Sequence, residues 1–217
     1  MVRGTTDAHE PQAERIDLPD ADVVFYRSFF SGDESDRFFE ELTTHAAWKQ
    51  ERIKYYGKVM DLPRQTAWYG DEGKSYVYSG IRVDPQPWTA TLLTIKRRVE
   101  SVSEVTFNSV LLNLYRHGRD SVAWHSDDEP DLGPDPVIGS VSFGETRTFW
   151  FRHRRDHSLR FKIELPHGSY LLMRGQTQHF WVHQIPKTTR HCEPRINLTF
   201  RVIKEVRSVR PNPQGFI

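Results

Sequence analysis

Two imidazoles and a carboxylate stand at a spacing that suits a metal ion. Trp124-His125-Ser126-Asp127 follows an apolar run ending in Asn113-Leu114-Tyr115. In an extended chain alternate side chains share a face, so His125 and Asp127 point the same way. His183, in Phe180-Trp181-Val182-His183, comes 56 positions (183 − 127) after Asp127 and completes the set. Two histidines and one carboxylate, with open positions left on the metal, form the ligand set of non-heme iron(II) oxygenation. His179 competes for the role, because it lies four residues before His183. A His-x-x-x-His zinc pair on a helix would also carry a general-base Glu, and position 180 is Phe. Phe180-Trp181-Val182 favours a strand instead. His153, His157 and His167 sit among charges or in turns and read as surface or phosphate-facing groups.

The last apolar-polar alternation adds a second kind of chemistry. Arg195, Asn197, Thr199, Arg201 and Ile203 fall on one face of an extended segment, and Ile196, Leu198, Phe200 and Val202 on the other. A strand with one solvated face gives the same alternation. Two arginines six residues apart, with an amide and a hydroxyl between them, also suit a small dianion, because guanidinium forks match carboxylates. Asn113 and Tyr115 share a face of another segment in the same way. A metal triad beside a dianion clamp points to iron used together with a 2-oxo diacid.

Those residues need rigid elements around them. With 217 residues the chain is long enough for one domain with a sizeable core. Phe107–Tyr115, Val137–Phe143, Thr146–Arg152, Leu159–Leu165, Ser169–Met173, Phe180–Ile185 and Arg195–Ile203 read as short strands broken by turn residues. That pattern indicates a closed or sandwiched antiparallel sheet. Val23–Tyr26 reads as a further strand, and Ser31-Gly32-Asp33-Glu34 opens a helix carrying Phe38, Phe39 and Leu42. Asp84-Pro85-Gln86-Pro87 is expected to open a second helix, with Trp88, Leu92, Ile95, Val99 and Val102 on one stripe. Residues 1–20 are expected to form a flexible tail, and 21–217 a single domain.

Charge is unevenly spread. Residues 1–50 hold 11 Asp/Glu against 5 Lys/Arg, and residues 51–217 hold 18 against 25, which makes −6 and +7. The basic portion is compatible with a polyanionic partner. A single cysteine, Cys192, excludes an intramolecular disulfide framework and fits a reducing compartment. No stretch approaches the roughly 20 apolar residues of a membrane span, and the first residues have no signal-peptide core. The expectation is a monomer with no membrane partner, cytoplasmic or, in a eukaryote, nuclear.

Asn-x-Tyr at 113–115, His-x-Asp at 125–127, His183 ahead of Pro186, and Pro194-Arg195-Ile196-Asn197-Leu198-Thr199-Phe200-Arg201 together resemble the AlkB family of 2-oxoglutarate-dependent nucleic-acid dealkylases. The match runs from about Tyr56 to Ile203 and is closest to the double-strand-DNA repair branch. The resemblance implies a mainly β protein with flanking helices, in which a double-stranded β-helix (jelly roll) core spans about 107–203. It also implies an N-terminal nucleotide-recognition lid over about 48–80. His125, Asp127 and His183 would then hold Fe(II). Arg195 would pair with the distal carboxylate of 2-oxoglutarate, with Asn113 and Tyr115 helping to hold it, and Arg201 with Thr199 and Asn197 would support the metal-bound end.

The same resemblance implies oxidative demethylation of N-alkylated bases such as 1-methyladenine and 3-methylcytosine, releasing formaldehyde, succinate and carbon dioxide. In the lid, Tyr56-Gly57-Lys58 aligns with a hairpin that fills the gap left by a flipped base, with Tyr56 where the family member has phenylalanine. Tyr76, Tyr78 and Ser79 align with residues that touch the extruded base. Such bases are cationic, so Asp128 and Glu129 beside the metal would attract them. Arg147, Arg152, Arg154 and Arg155 are candidates for phosphate contacts. The substrate is expected to be alkylated DNA, single- or double-stranded. The alternatives are the same chemistry on RNA or another methylated substrate, and a non-catalytic jelly-roll module with a structural metal. The dianion clamp argues against the last, since a structural metal needs no such pocket.

Overall fold

The computed structural model describes residues 11–55, 58–74, 76–78 and 81–204. In chain order the elements are β1 (Ala13–Ile16), β2 (Asp22–Tyr26), α1 (Gly32–His45), β3 (Arg52–Tyr55), β4 (Lys58–Asp61), β5 (Gln65–Gly70), β6 (Tyr76–Tyr78), β7 (Ile81–Val83) and α2 (Ala90–Ser103). The second half continues with β8 (Ser109–Tyr115), β9 (Val122–His125), β10 (Ile138–Gly144), β11 (Arg147–His153), β12 (Arg160–Leu165), β13 (Ser169–Arg174), α3 (Thr177–Phe180), β14 (Trp181–Ile185) and β15 (Arg195–Arg201).

β8 to β15 are shared between two sheets, with the consecutive strands β11 and β12 in the same one. One runs β1-β2-β13-β10-β15-β8-β5, the other β12-β11-β14-β9. Every pairing among them is antiparallel. Eight strands dealt in this order to two facing sheets make the expected jelly roll. Two apolar layers follow from it. One lies between the helices and the larger sheet, where Phe38, Leu42, Leu92, Ile95 and Val99 meet Val141, Leu172, Leu198 and Phe200. The other lies between the sheets and includes Phe151, Leu171, Trp181 and Ile185. Burying one such side chain is worth roughly 1.5–3 kcal/mol. On β15 the expected split holds: Ile196, Leu198 and Phe200 face the helices, which leaves Arg195, Asn197, Thr199 and Arg201 facing the second sheet.

The helices are set by their caps. Ser31 and Glu34 form a reciprocal capping box at the start of α1, as Glu34 N–H donates to the Ser31 hydroxyl at 3.3 Å and Ser31 N–H to the Glu34 carboxylate at 3.0 Å. α2 starts later than the Asp-Pro-Gln-Pro signal suggests. Gln86 is bound as an extended residue, donating to Trp68 O and accepting from Gly70 N, so the chain turns helical only after Thr89, whose hydroxyl accepts from Leu92 N. The stripe Leu92, Ile95 and Val99 is fully buried as expected, but Trp88 precedes the helix.

Two other expectations change. The segment 1–20 is not loose throughout: β1 pairs with β2, and Ile16 is buried against the inter-sheet core. One inward apolar residue among exposed neighbours suffices for this short edge strand. Among the described residues the region 48–80 contributes to more than one sheet. β3–β4 and β6–β7 are separate two-stranded hairpins, whereas β5 lies on the edge of the larger sheet beside β8. Among the described residues no helix is long and apolar enough to cross a membrane.

Candidate active site

A cavity of about 500 Å³ lies between the two sheets, lined by residues of β5, β8, β9, β14 and β15. His125 ends β9 and pairs directly with His183 on β14, so sheet register alone brings the two rings to 4.4 Å between centroids. Asp127 lies two residues beyond the end of β9. The ligand atoms of His125, Asp127 and His183 lie within 4.8 Å of one another, which is the grouping the spacing predicted. Phe149 stacks on the His183 ring at 5.0 Å and holds its plane.

The carboxylate of Asp127 is divided between two kinds of neighbour. Oδ1 accepts from both Nε (3.1 Å) and Nη2 of Arg201, while Oδ2 faces His183 Nε2 at 3.5 Å. Burial by itself would raise the Asp127 pKa. Arg201 and the two imidazoles overcome that and hold the group well below the ordinary carboxylate range. The opposite balance applies to His125: burial, then the neighbouring His183, pushes it down to about 4, so it is neutral at pH 7. His125 Nδ1 lies 2.8 Å from the Ala123 carbonyl. A proton on Nδ1 satisfies that oxygen and leaves the Nε2 lone pair free for a metal.

Polar side chains form rows across the floor of the cavity because register stacks them. Thr66, Asn113, Asn197 and Ser142 are consecutive cross-strand partners over β5, β8, β15 and β10. Asn197 Nδ2 donates to Ser140 Oγ (2.8 Å) and Val141 O (2.9 Å), and its Oδ1 accepts from Thr199 Oγ1 at 3.1 Å. Asn197 and Thr199 are therefore a hydrogen-bonded shelf more than a pair of free donors. Arg195 lies at the far end, 1% exposed. Nη2 donates to Ser142 Oγ at 2.9 Å, Cζ lies 5.2 Å from the Tyr115 ring centre, and Nε and Nη1 have no hydrogen-bond partner. Burial lowers its pKa to about 10, partly offset by Tyr115. Gly144, the partner of Arg195 on β10, has φ +83, and a Cβ there would run into the Pro194 carbonyl oxygen. Among the described residues Arg195 is a buried cation with no acidic partner, while Arg201 pairs with the carboxylate of Asp127.

Other expected residues fall differently. Asp128 is exposed and pairs with Arg154 at 2.6 Å, whereas Glu129 lines the cavity with a buried, unpartnered Oε2. Burial raises the Glu129 pKa against the opposing pull of Arg201. Of the arginines proposed for phosphate, Arg147 is buried and donates to the carbonyls of Asp120 (3.1 Å) and Pro186 (2.7 Å), which makes it a structural tie. Arg152 lies over Trp124 at 4.4 Å and Arg155 over Phe180 at 5.5 Å. His153 is buried against Phe180 and Trp181, and His167 Nδ1 accepts from Gly144 N, so neither is a free surface group. His179 pairs with Asp135 at 3.2 Å, outside the ligand cluster. Tyr56, Gly57 and Ser79 lie outside the described residues, and Lys58, Tyr76 and Tyr78 stand on the two hairpins. Sequence spacing gave no signal for Arg64, whose Nε donates to Asn113 Oδ1 at 2.8 Å, or for Gln178, whose Oε1 accepts from Asp127 N at 3.0 Å.

A jelly roll carrying two paired histidines, a carboxylate kept ionised and a buried cation facing the same cavity is the architecture of a metal- and oxo-acid-dependent oxygenase. Residues 22–201 match the 2OG-Fe(II) oxygenase superfamily. Alpha-ketoglutarate-dependent dioxygenase alkB homolog 3 of Homo sapiens is 44% identical over 202 residues, 89% of this chain and 68% of that protein. DNA oxidative demethylase ALKBH2 of Homo sapiens is 39% identical over 188 residues, covering 82% of this chain and 72% of that protein. The solved structure of OsALKBH1 shares the fold, with a TM-score of 0.62 at 15% identity over 88% of this chain and all of that one. The chain belongs to the AlkB family of 2OG-Fe(II) oxygenases. Its cofactors are Fe(II) and 2-oxoglutarate, and the residues fit both. The His/Asp/His set offers open metal positions, and the unmatched Arg195 calls for a carboxylate.

Proposed function

We propose that this oxygenase removes N-linked methyl groups from the bases of alkylated DNA. In this reading His125, Asp127 and His183 hold iron(II), and Arg195 receives the distal carboxylate of 2-oxoglutarate beside Tyr115 and Asn113. Arg201 keeps Asp127 ionised and oriented, and Arg64 fixes the Asn113 amide. When bound, the metal and cosubstrate oxidise the methyl carbon with dioxygen, 2-oxoglutarate leaving as succinate and carbon dioxide and the methyl group as formaldehyde. The protein supplies position and exclusion of water: Phe149, Ile185 and Met173 form an apolar wall of the cavity.

The substrate assignment rests on the unpartnered, buried oxygen of Glu129 at the same cavity. A buried carboxylate oxygen with no hydrogen-bond partner among the described residues suits a cationic ligand, and bases methylated on their pairing edge, such as 1-methyladenine and 3-methylcytosine, are cationic. Such a base cannot reach the metal while paired in a duplex, so it enters flipped or from a single strand. Tyr56, Gly57, Lys58, Tyr76, Tyr78 and Ser79 are the residues we assign to that strand and base. DNA as the substrate class is also supported by ALKBH2, whose name describes a DNA oxidative demethylase. We take the chain to act as a monomer, in the cytoplasm or, in a eukaryote, in the nucleus.

The test is repair of oligonucleotides carrying one lesion, in single-stranded DNA, duplex DNA and RNA, with anaerobically loaded iron, 2-oxoglutarate and then air. Formaldehyde and unmodified base should appear together with DNA. Faster turnover of the RNA would move the substrate to RNA. Succinate formation without formaldehyde on any arm would overturn the demethylase reading.

A further inference from the structure

The three ligands are not held equally by the sheet. His125 and His183 are direct cross-strand partners, but Asp127 stands past the end of β9, where no strand pairing fixes its backbone. Arg201 holds its carboxylate. The backbone N–H of Asp127 is instead received by the side chain of Gln178, at 3.0 Å and from 51 positions away. Gln178 is fully buried. Its amide is used at both ends, because Nε2 lies 3.6 Å from Met173 Sδ. The turn that carries it is itself tied down, as Thr177 Oγ1 accepts from Asp22 N at 2.9 Å and bonds the Arg174 carbonyl. The chain runs directly from this turn into β14 and His183.

We propose that Gln178 is a positioning residue for the metal site: its carbonyl oxygen sets the backbone of Asp127 and so the direction from which Oδ2 meets the metal. The inference rests on the assignment of Asp127 as a ligand. A buried N–H left without an acceptor is costly. Loss of Gln178 should therefore let residues 126–128 move until that N–H finds another partner, and Oδ2 moves with them. Glutamine also links the two ligand-bearing segments, since a shift of α3 reaches Asp127 through one side chain and His183 through three peptide units.

The measurement is anaerobic Mn(II) titration of the metal-free protein, reading free Mn(II) by its EPR signal, with the Asp127 amide followed by hydrogen exchange. Gln178→Met keeps the volume and removes the acceptor. It should speed exchange at Asp127 and weaken Mn(II) binding by about 10–100-fold, the usual range for a group that orients a ligand. Gln178→Glu retains an acceptor and should keep both the slow amide and the wild-type affinity. Added negative charge would only favour a cation, so weakened binding in Gln178→Glu would count against the proposal. Ser103→Ala removes a buried hydroxyl contact with Tyr170 remote from the cavity, and should lower the melting temperature without moving the Mn(II) affinity. If Gln178→Met behaves like Ser103→Ala, with lower stability and unchanged affinity, Gln178 is a packing residue and the proposal fails. If Asp127→Ala also leaves Mn(II) affinity unchanged, the ligand assignment fails instead.

Discussion

Replacing Arg195 by methionine should move two quantities in opposite directions. The guanidinium is 1% exposed, two of its nitrogens have no partner, and no carboxylate pairs with it among the described residues. Holding it at about 10 where an arginine ordinarily has 12.5 corresponds to a burial cost on the order of 3 kcal/mol, present in full at neutral pH. Methionine fills similar space without that charge, so the metal- and cosubstrate-free protein should melt at the same temperature or higher. The 2-oxoglutarate carboxylate then loses its partner, and removing one member of a buried charged pair costs roughly 2–5 kcal/mol. That is a weakening of about 30-fold to several thousand-fold. Two assays suffice: thermal melting of the free protein, and anaerobic titration of 2-oxoglutarate into the metal-loaded protein. A large fall in melting temperature together with unchanged 2-oxoglutarate affinity would refute the reasoning, because it would make Arg195 a structural cation satisfied within the fold. Arg195→Lys should also bind poorly, since an ammonium cannot present the planar fork.

Three further outcomes are expected. His183→Ala should abolish turnover in a folded protein while His179→Ala retains it, because His179 faces Asp135 and not the cavity; activity in the first and loss in the second would reverse the ligand choice. The metal-free protein should lose stability as pH falls from about 6.5 toward 4. In that window the unfolded chain protonates His125 while the folded site, with its imidazole held to about 4, does not, so acid favours unfolding. His125→Ala should flatten the melting-temperature profile across that window, and an unchanged slope would show that other groups set it. Tyr56→Ala should slow repair of a duplex by several-fold to about a hundred-fold, the worth of one stacked base, and spare a single strand, whereas Tyr76→Ala should slow both. Equal losses on both substrates for Tyr56→Ala would leave that residue without a gap-filling role.

Much of the site was readable because strands repeat every two residues. That period put Arg195, Asn197, Thr199 and Arg201 on one face of β15; it also grouped His125 with Asp127, although Asp127 lies beyond the end of β9. It could not say what meets that face. Arg201 on Asp127 depends on the order in which eight strands are dealt to two sheets, which no local pattern encodes. Arg64 and Gln178 are 49 and 51 positions from the residues they hold, and neither an arginine in a Pro-Arg turn nor a glutamine in a single helical turn announces a partner. Asp128 and Glu129 are neighbours in sequence, yet the turn at Pro130–Leu132 sends one to solvent and Arg154 and the other into the cavity. The start of α2 was misplaced for a similar reason: a tertiary bridge between Gln86 and Tyr69 keeps the Asp-Pro-Gln-Pro stretch extended.

The pairing of Arg201 with one oxygen of Asp127 means that the fold itself ionises and aims this carboxylate. Two of the three ligands sit on strands that the surrounding sheets already hold together, so the ion is a late guest and not a structural keystone, unlike the metal of a zinc finger. Removing the ion is expected to leave this jelly roll folded. Its three donors, however, bind copper(II) and zinc(II) more tightly than iron(II) by the ordinary ranking of divalent ions. Which ion fills such a site therefore depends on the ions its surroundings offer as well as on the donors themselves.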